Sequence, residues 1–228
     1  MSYVLPGDVL TPPAPPPKSL KLGPGLLMLH TPGNPVIAHR PGVLHSTPKQ
    51  QHWIETESRR YIPASQESVI GVIAYRAADA YRVDIGSAHL ATLDALSFEG
   101  ATKRNRPNLK VGNLVYARVS LANRDMDPEL ECFDATTRKA DGFGELKDGF
   151  MVECSLGTCR RLLDSKHFLL PSLAQKFPFE VAVGMNGRVW LRAGSVKATV
   201  AISRAIGMLD DRQTSDDEVA AFVQLMDV

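Results

Sequence analysis

Lys103, Arg104, Arg106 and Lys110 fall within eight residues of one another with no acid between them, inside the stretch S-F-E-G-A-T-K-R-N-R-P-N-L-K-V-G that runs from Ser97 to Gly112. This is the densest positive charge in the chain. Cations at that density, interrupted by Asn105, Pro107 and Asn108, suit an exposed loop that offers guanidinium and ammonium groups to phosphate oxygens. The same run would serve as a solvated loop or as a docking patch for an acidic protein surface. A second set of residues has a different chemistry. Asp125, Asp127, Glu129 and Glu131 alternate, and on a strand they would share a face, as the ligands of a two-metal nuclease do. Pro128 interrupts the pattern, and no nucleophile, base and orienting group accompany it, so the expected reading is a solvated acidic turn and no metal site.

Cys132, Cys154 and Cys159 are an odd set without a C-x-x-C pair. They fit neither a disulfide framework nor a zinc site and read as buried, reduced thiols. His30, His39, His45 and His52 are scattered without ligand spacing. Neither a cofactor nor a metal is expected.

The elements that must position these residues are bounded by length and composition. A chain of 228 residues with 44% hydrophobic and 22% charged residues has material for two or three small cores. Its formal net charge of +1 makes it no polycation, so any contact with nucleic acid must come from local patches. No apolar run approaches a membrane span, and the start M-S-Y-V-L-P-G-D lacks the plan of a secretory signal, which predicts an intracellular protein that does not enter membranes.

Residues 1–62 carry most of the prolines. The tract with Pro12, Pro13, Pro15, Pro16 and Pro17 favours an extended excursion. Around it, Val4-Leu5, Leu26 to Leu29, Val36-Ile37 and Val43-Leu44 end in Gly or Pro turn chemistry and predict a small β domain. From Val69 to Tyr75 the chain is β-branched, Arg76 to Ala80 reads as a turn, and Tyr81 to Gly86 alternates with period two. Further strands around His89 to Leu93, Leu114 to Ala122 and Leu130 to Phe133 complete about five over residues 63–142, the spacing of an OB-type barrel. After Ala140 to Gly144, residues 143–228 read strand, helix, helix, strand, strand, helix, which is the order of a KH module. A last helix opens on the capping box Ser215-Asp216-Asp217-Glu218. The fold class is therefore mixed β and α+β.

The run G-M-N-G at Gly184 to Gly187 resembles the glycine loop with which KH domains clamp a nucleic-acid backbone, but that clamp joins the two consecutive helices. Here that junction, Leu163 to Lys166, holds no glycine. Asn186-Gly187 instead lies between two strands and predicts a two-residue hairpin in which both residues take positive φ. Trp190 beyond it is expected to be a core or interdomain anchor.

S-F-E-G-A-T-K-R-N-R-P-N-L-K-V-G-N-L-V-Y-A at Ser97 to Ala117 and F-E-V-A-V-G-M-N-G-R-V-W-L at Phe179 to Leu191, with V-L-P-G-D at Val4 to Asp8 and R-Y-I-P at Arg60 to Pro63, resemble the S1/KH cap subunits of the eukaryotic RNA exosome. The resemblance runs over nearly the whole chain and is weakest in the proline tract. It implies an N-terminal β domain, an S1 domain of OB type, and a divergent KH domain whose G-x-N-G is buried between domains. It also implies a non-catalytic, RNA-binding subunit in the nucleus, nucleolus and cytoplasm. Such a subunit sits with two other cap proteins on a ring of six RNase PH-like subunits, through which RNA passes to separate 3′-to-5′ exoribonucleases. By position, Lys103, Arg104, Arg106 and Lys110 would line the RNA entry or dock the ring. Tyr81 would be the stacking aromatic of the second S1 strand, and Thr92 stands where the third strand commonly has a histidine.

Overall fold

The computed structural model describes residues 2–10, 20–31, 33–47, 51–211 and 213–226. The proline tract lies outside them. The chain divides into two compact units, Met1–Ser58 and Arg59–Val228.

The first unit is built from strands of two to five residues: β1 (Ser2–Val4), β2 (Val9–Leu10), β3 (Lys21–Leu22), β4 (Leu26–Met28), β5 (Val36–Ala38), β6 (Gly42–Ser46) and β7 (Gln51–Glu55). They form two sheets, ordered β1-β6-β7-β3 and β2-β5-β4. Val4, Ala38 and Ile54 make the small core, with Leu10, Leu26 and Leu44 packed against it. The short apolar pieces flagged the β domain. β7, which reads Q-H-W-I-E, was hidden among polar residues.

In the second unit, β8 (Ser68–Arg76), β9 (Ala80–Asp84), β10 (Ala91–Phe98), β11 (Leu114–Leu121) and β12 (Glu129–Cys132) run β12-β10-β9-β8-β11, and β11 pairs back to β12. The barrel is closed, which leaves these five strands no open edge. The β10–β12 pairing is parallel, with Thr92 opposite Glu129. Inward residues follow the period-two pattern: Tyr81 and Val83 from β9, Leu93 and Ala95 from β10, Val115, Ala117 and Val119 from β11, and Leu130 and Cys132 from β12. Each fully buried aliphatic side chain here contributes about 1.5–3 kcal/mol. A three-residue strand, β13 (Gly144–Leu146), adds to the N-terminal half of β11. No strand is expected here from the sequence, since three residues opened by a glycine carry no alternating pattern.

The rest of the unit is β14 (Phe150–Glu153), α1 (Leu156–Leu163), α2 (Leu169–Lys176), β15 (Phe179–Gly184), β16 (Arg188–Ala193), α3 (Val196–Asp210) and α4 (Asp216–Leu225), with sheet order β14-β16-β15. Serine opens three helices: Ser155, Ser195 and Ser215 accept hydrogen bonds from the backbone N–H groups of Thr158, Ala198 and Glu218. The expected capping box is formed in both directions. One apolar cluster joins Leu162, Leu173, Leu191, Ile202, Ile206, Val219 and Val223, so α4 is seated on the module by Val219 and Val223.

Candidate nucleic-acid interface

The basic loop, residues 99–113, connects β10 to β11 and is fastened to the barrel at several points. Leu109 is buried in the barrel core. The Tyr81 hydroxyl donates to the Pro107 carbonyl at 2.5 Å, and Arg76 Nη1 donates to Asn108 Oδ1 at 2.5 Å. Arg106 Nη1 meets Asp79 Oδ1 at 2.5 Å and the Ala78 carbonyl at 3.3 Å. Thr102 and Asn105 exchange backbone hydrogen bonds of 3.0 and 3.1 Å, closing the tip. On this scaffold Lys103, Arg104 and Lys110 are exposed, and their side chains have no protein partner among the described residues. Three unpaired cations on a braced loop can contact successive phosphates without first leaving a carboxylate.

Two of the expected contact residues act differently. Tyr81 is 3% exposed, its ring packed in the barrel with Val83 and Leu93, so it cannot offer a face to a base; its hydroxyl braces the loop instead. Arg106 is exposed, but its guanidinium is engaged by Asp79 and holds the loop. Thr92 accepts a hydrogen bond from Arg82 Nη1 at 2.9 Å. The exposed aromatic near this end of the barrel is Tyr75, 61% accessible on β8, in a stretch where a register shift separates Ile73 from Tyr75. Sequence reading missed it because a bulge turns a side chain without leaving a compositional trace.

The acids do not converge. Asp127 accepts from Arg82 Nη1 at 2.8 Å, and Glu131 accepts from Arg118 Nη2 at 2.7 Å. Among the described residues no three His, Cys, Asp or Glu side chains are grouped to hold a metal.

Gly184 to Gly187 carries a different job. Gly184 pairs with Arg188, so the loop has three residues and not two. Gly187 alone is left-handed, at φ +79°; Asn186 is not. The expectation of a two-residue turn with both residues at positive φ is thus corrected. Asparagine is there for its amide. Asn186, 7% exposed, accepts from Ile70 N–H at 3.1 Å and donates to the carbonyls of Ile70 at 2.8 Å and Ile85 at 2.9 Å. Met185 N–H donates to the Ser68 carbonyl at 2.8 Å. The hairpin therefore grips β8 of the barrel, and G-M-N-G is an interdomain lock rather than a clamp on nucleic acid.

Arg188 completes that lock, donating to the Asp84 carbonyl at 2.6 Å and to Asp84 Oδ2 at 2.7 Å. Trp190 is buried beside it, with Gly149 lying so close that a Cβ there would sit 2.2 Å from the indole. Partial burial alone would raise the Asp84 carboxyl, but the hydrogen bonds from Arg188 and the Gly86 N–H, with the Arg188 charge, hold it below its ordinary value. A lowered carboxyl contributes stability above the ordinary carboxylate range and loses it as pH falls through the lowered value. Asp84→Asn is therefore expected to flatten the acid side of the stability profile, read by thermal melts from neutral to acid pH. An unchanged profile would remove Asp84 from the lock.

Family models match three parts of the chain. Residues 20–60 match the "Exosome complex exonuclease Rrp40 N-terminal domain", residues 61–144 match "Exosome complex component RRP40, S1 domain", and residues 149–197 match a KH domain. The exosome complex component rrp40 of Schizosaccharomyces pombe is 54% identical over 82% of this chain and 79% of its own length. That of Saccharomyces cerevisiae is 40% identical over 90% of this chain and 87% of its own length. A crystal structure provisionally described as an exosome complex RNA-binding protein shares the fold at a TM-score of 0.61 and 24% identity, over 73% of this chain and 94% of that one.

Proposed function

The chain belongs to the Rrp40 family of exosome components, and on that premise we propose that its braced basic loop guides RNA toward nucleases elsewhere in the complex while the chain cuts nothing itself. It is an RNA-binding cap subunit of the exosome with S1 and KH domains. The observation that carries the guiding role is the split among the four cations: Arg106 is tied to Asp79, while Lys103, Arg104 and Lys110 are exposed without a partner among the described residues, on a braced loop. Backbone contact of this kind is indifferent to sequence and suits a subunit that handles many RNAs. Tyr75 supplies the exposed ring that Tyr81 does not. The acids support the non-catalytic reading, because Asp127 and Glu131 are held by Arg82 and Arg118. The partners are RNA, the RNase PH-like ring and the other cap subunits, with the exoribonucleases reached through the ring. The complex acts in nucleus, nucleolus and cytoplasm.

The test is RNA crosslinking to the reconstituted exosome, native against Lys103→Glu/Arg104→Glu/Lys110→Glu. Loss of crosslinks at this subunit with normal assembly is the expected result. Retained crosslinks would overturn the guiding role, and failed assembly would reassign the loop to ring docking.

A further inference from the structure

Helix α1 begins at the cap Ser155, and the positions on either side of a cap that commonly meet as an apolar staple, one before it and four after it, are here Cys154 and Cys159. The fold thereby brings two thiols together, with Sγ atoms 3.3 Å apart. Cys159 is fully buried in the KH core, whereas Cys154 is half-buried at its edge. The pair lies directly behind the lock. Cys154 N–H donates to the Gly187 carbonyl at 2.9 Å, and a Cβ on Gly187 would come within 2.7 Å of the Cys154 carbonyl. Cys132, the remaining thiol, is sealed in the barrel core without a sulfur partner among the described residues.

We propose that Cys154 and Cys159 form a redox-active dithiol, a modification site that takes a two-electron oxidant of the hydroperoxide class and closes an intrachain disulfide behind the turn that holds the two domains together. Closure needs the sulfurs to approach from 3.3 Å to about 2.05 Å. Cys154, the less buried of the two, reacts first. Its sulfur attacks one oxygen of hydrogen peroxide, the O–O bond breaks, and the products are a sulfenic acid and water. Cys159 sulfur then attacks the Cys154 sulfur, forming the S–S bond and expelling the second oxygen, which leaves as water with the Cys159 proton. Two electrons pass from the thiols to one peroxide, and two waters are released. Either sulfur can donate across this contact, so the S–H of one thiol stabilises the thiolate of the other, which is the attacking form.

The experiment exposes the full chain to graded hydrogen peroxide, then counts thiols under denaturing conditions and maps peptides. The expected result is a fall from three free thiols to one, a mass lower by two hydrogens, a Cys154–Cys159 crosslinked peptide, and full reversal by dithiothreitol. Cys154→Ser and Cys154→Val, the second keeping an apolar staple, should each retain two thiols until irreversible oxidation sets in. Three surviving thiols at peroxide levels that oxidise exposed methionine would overturn the assignment. So would crosslinks between chains, or sulfinic acid formed in the native chain without a disulfide.

Discussion

Asn186→Leu is expected to lower the stability of the second unit by about 3–5 kcal/mol, because it leaves the Ile70 N–H and the Ile70 and Ile85 carbonyls buried with their strongest partner removed, at about 1–3 kcal/mol each. Leucine keeps the branching of asparagine but offers none of its three hydrogen bonds. Arg188 Nη1 reaches the Ile70 carbonyl only at 3.4 Å and compensates little. For a unit of this size such a loss lowers the melting temperature by about 6–20 °C. Thermal melts of the full chain measure it, and hydrogen exchange at the Ile70 amide should rise first, since that N–H loses its acceptor. A change below about 1 kcal/mol would show that the hairpin is held by shape rather than by its amide.

The second large effect concerns RNA. Lys103→Ala/Arg104→Ala/Lys110→Ala in the assembled complex is expected to lower the salt dependence of RNA affinity by about two in log–log slope, from about 0.7 for each single-strand phosphate contact. Extrapolated to physiological salt, that is a loss of up to about 50-fold. Arg106→Ala supplies the contrast. Its charge is already matched by Asp79, so the slope should stay nearly constant while affinity falls modestly through a looser loop. Equal slope changes in the two variants would show that Arg106 contacts phosphate after all.

Much of this architecture was legible because it is written in short-range patterns. The barrel strands alternate, the helices begin at serine caps, and the strand-helix order of the last domain follows from periodicity alone. Tyr81 is instructive. It lies in phase with Val83 and Ile85, all three buried, so the alternation already placed its ring inside; analogy with other S1 domains placed it outside, and the physical pattern prevailed. The tethers were beyond reach because they join distant residues. Asp79 is 27 positions from Arg106, and Asn186 is 116 from Ile70. The hairpin at Asn186-Gly187 could be read, but the reason for asparagine could not, since its partners belong to another domain. β13 and the bulge before Tyr75 carry no hydrophobic signature at all.

For the proposed guiding of RNA, the bracing of the basic loop by Tyr81, Arg76, Arg106 and Leu109 would also fix the thermodynamic character of capture. A disordered basic segment that folds onto its ligand buries fresh apolar surface, which appears as a large negative heat-capacity change and an ordering entropy that opposes binding. This loop buries its one apolar anchor, Leu109, when the chain folds. What remains on contact is the release of counterions from the RNA, a favourable entropy set by salt rather than by temperature. A strand guided in this way would meet a surface with little conformational memory, able to let go of one phosphate as readily as it takes the next.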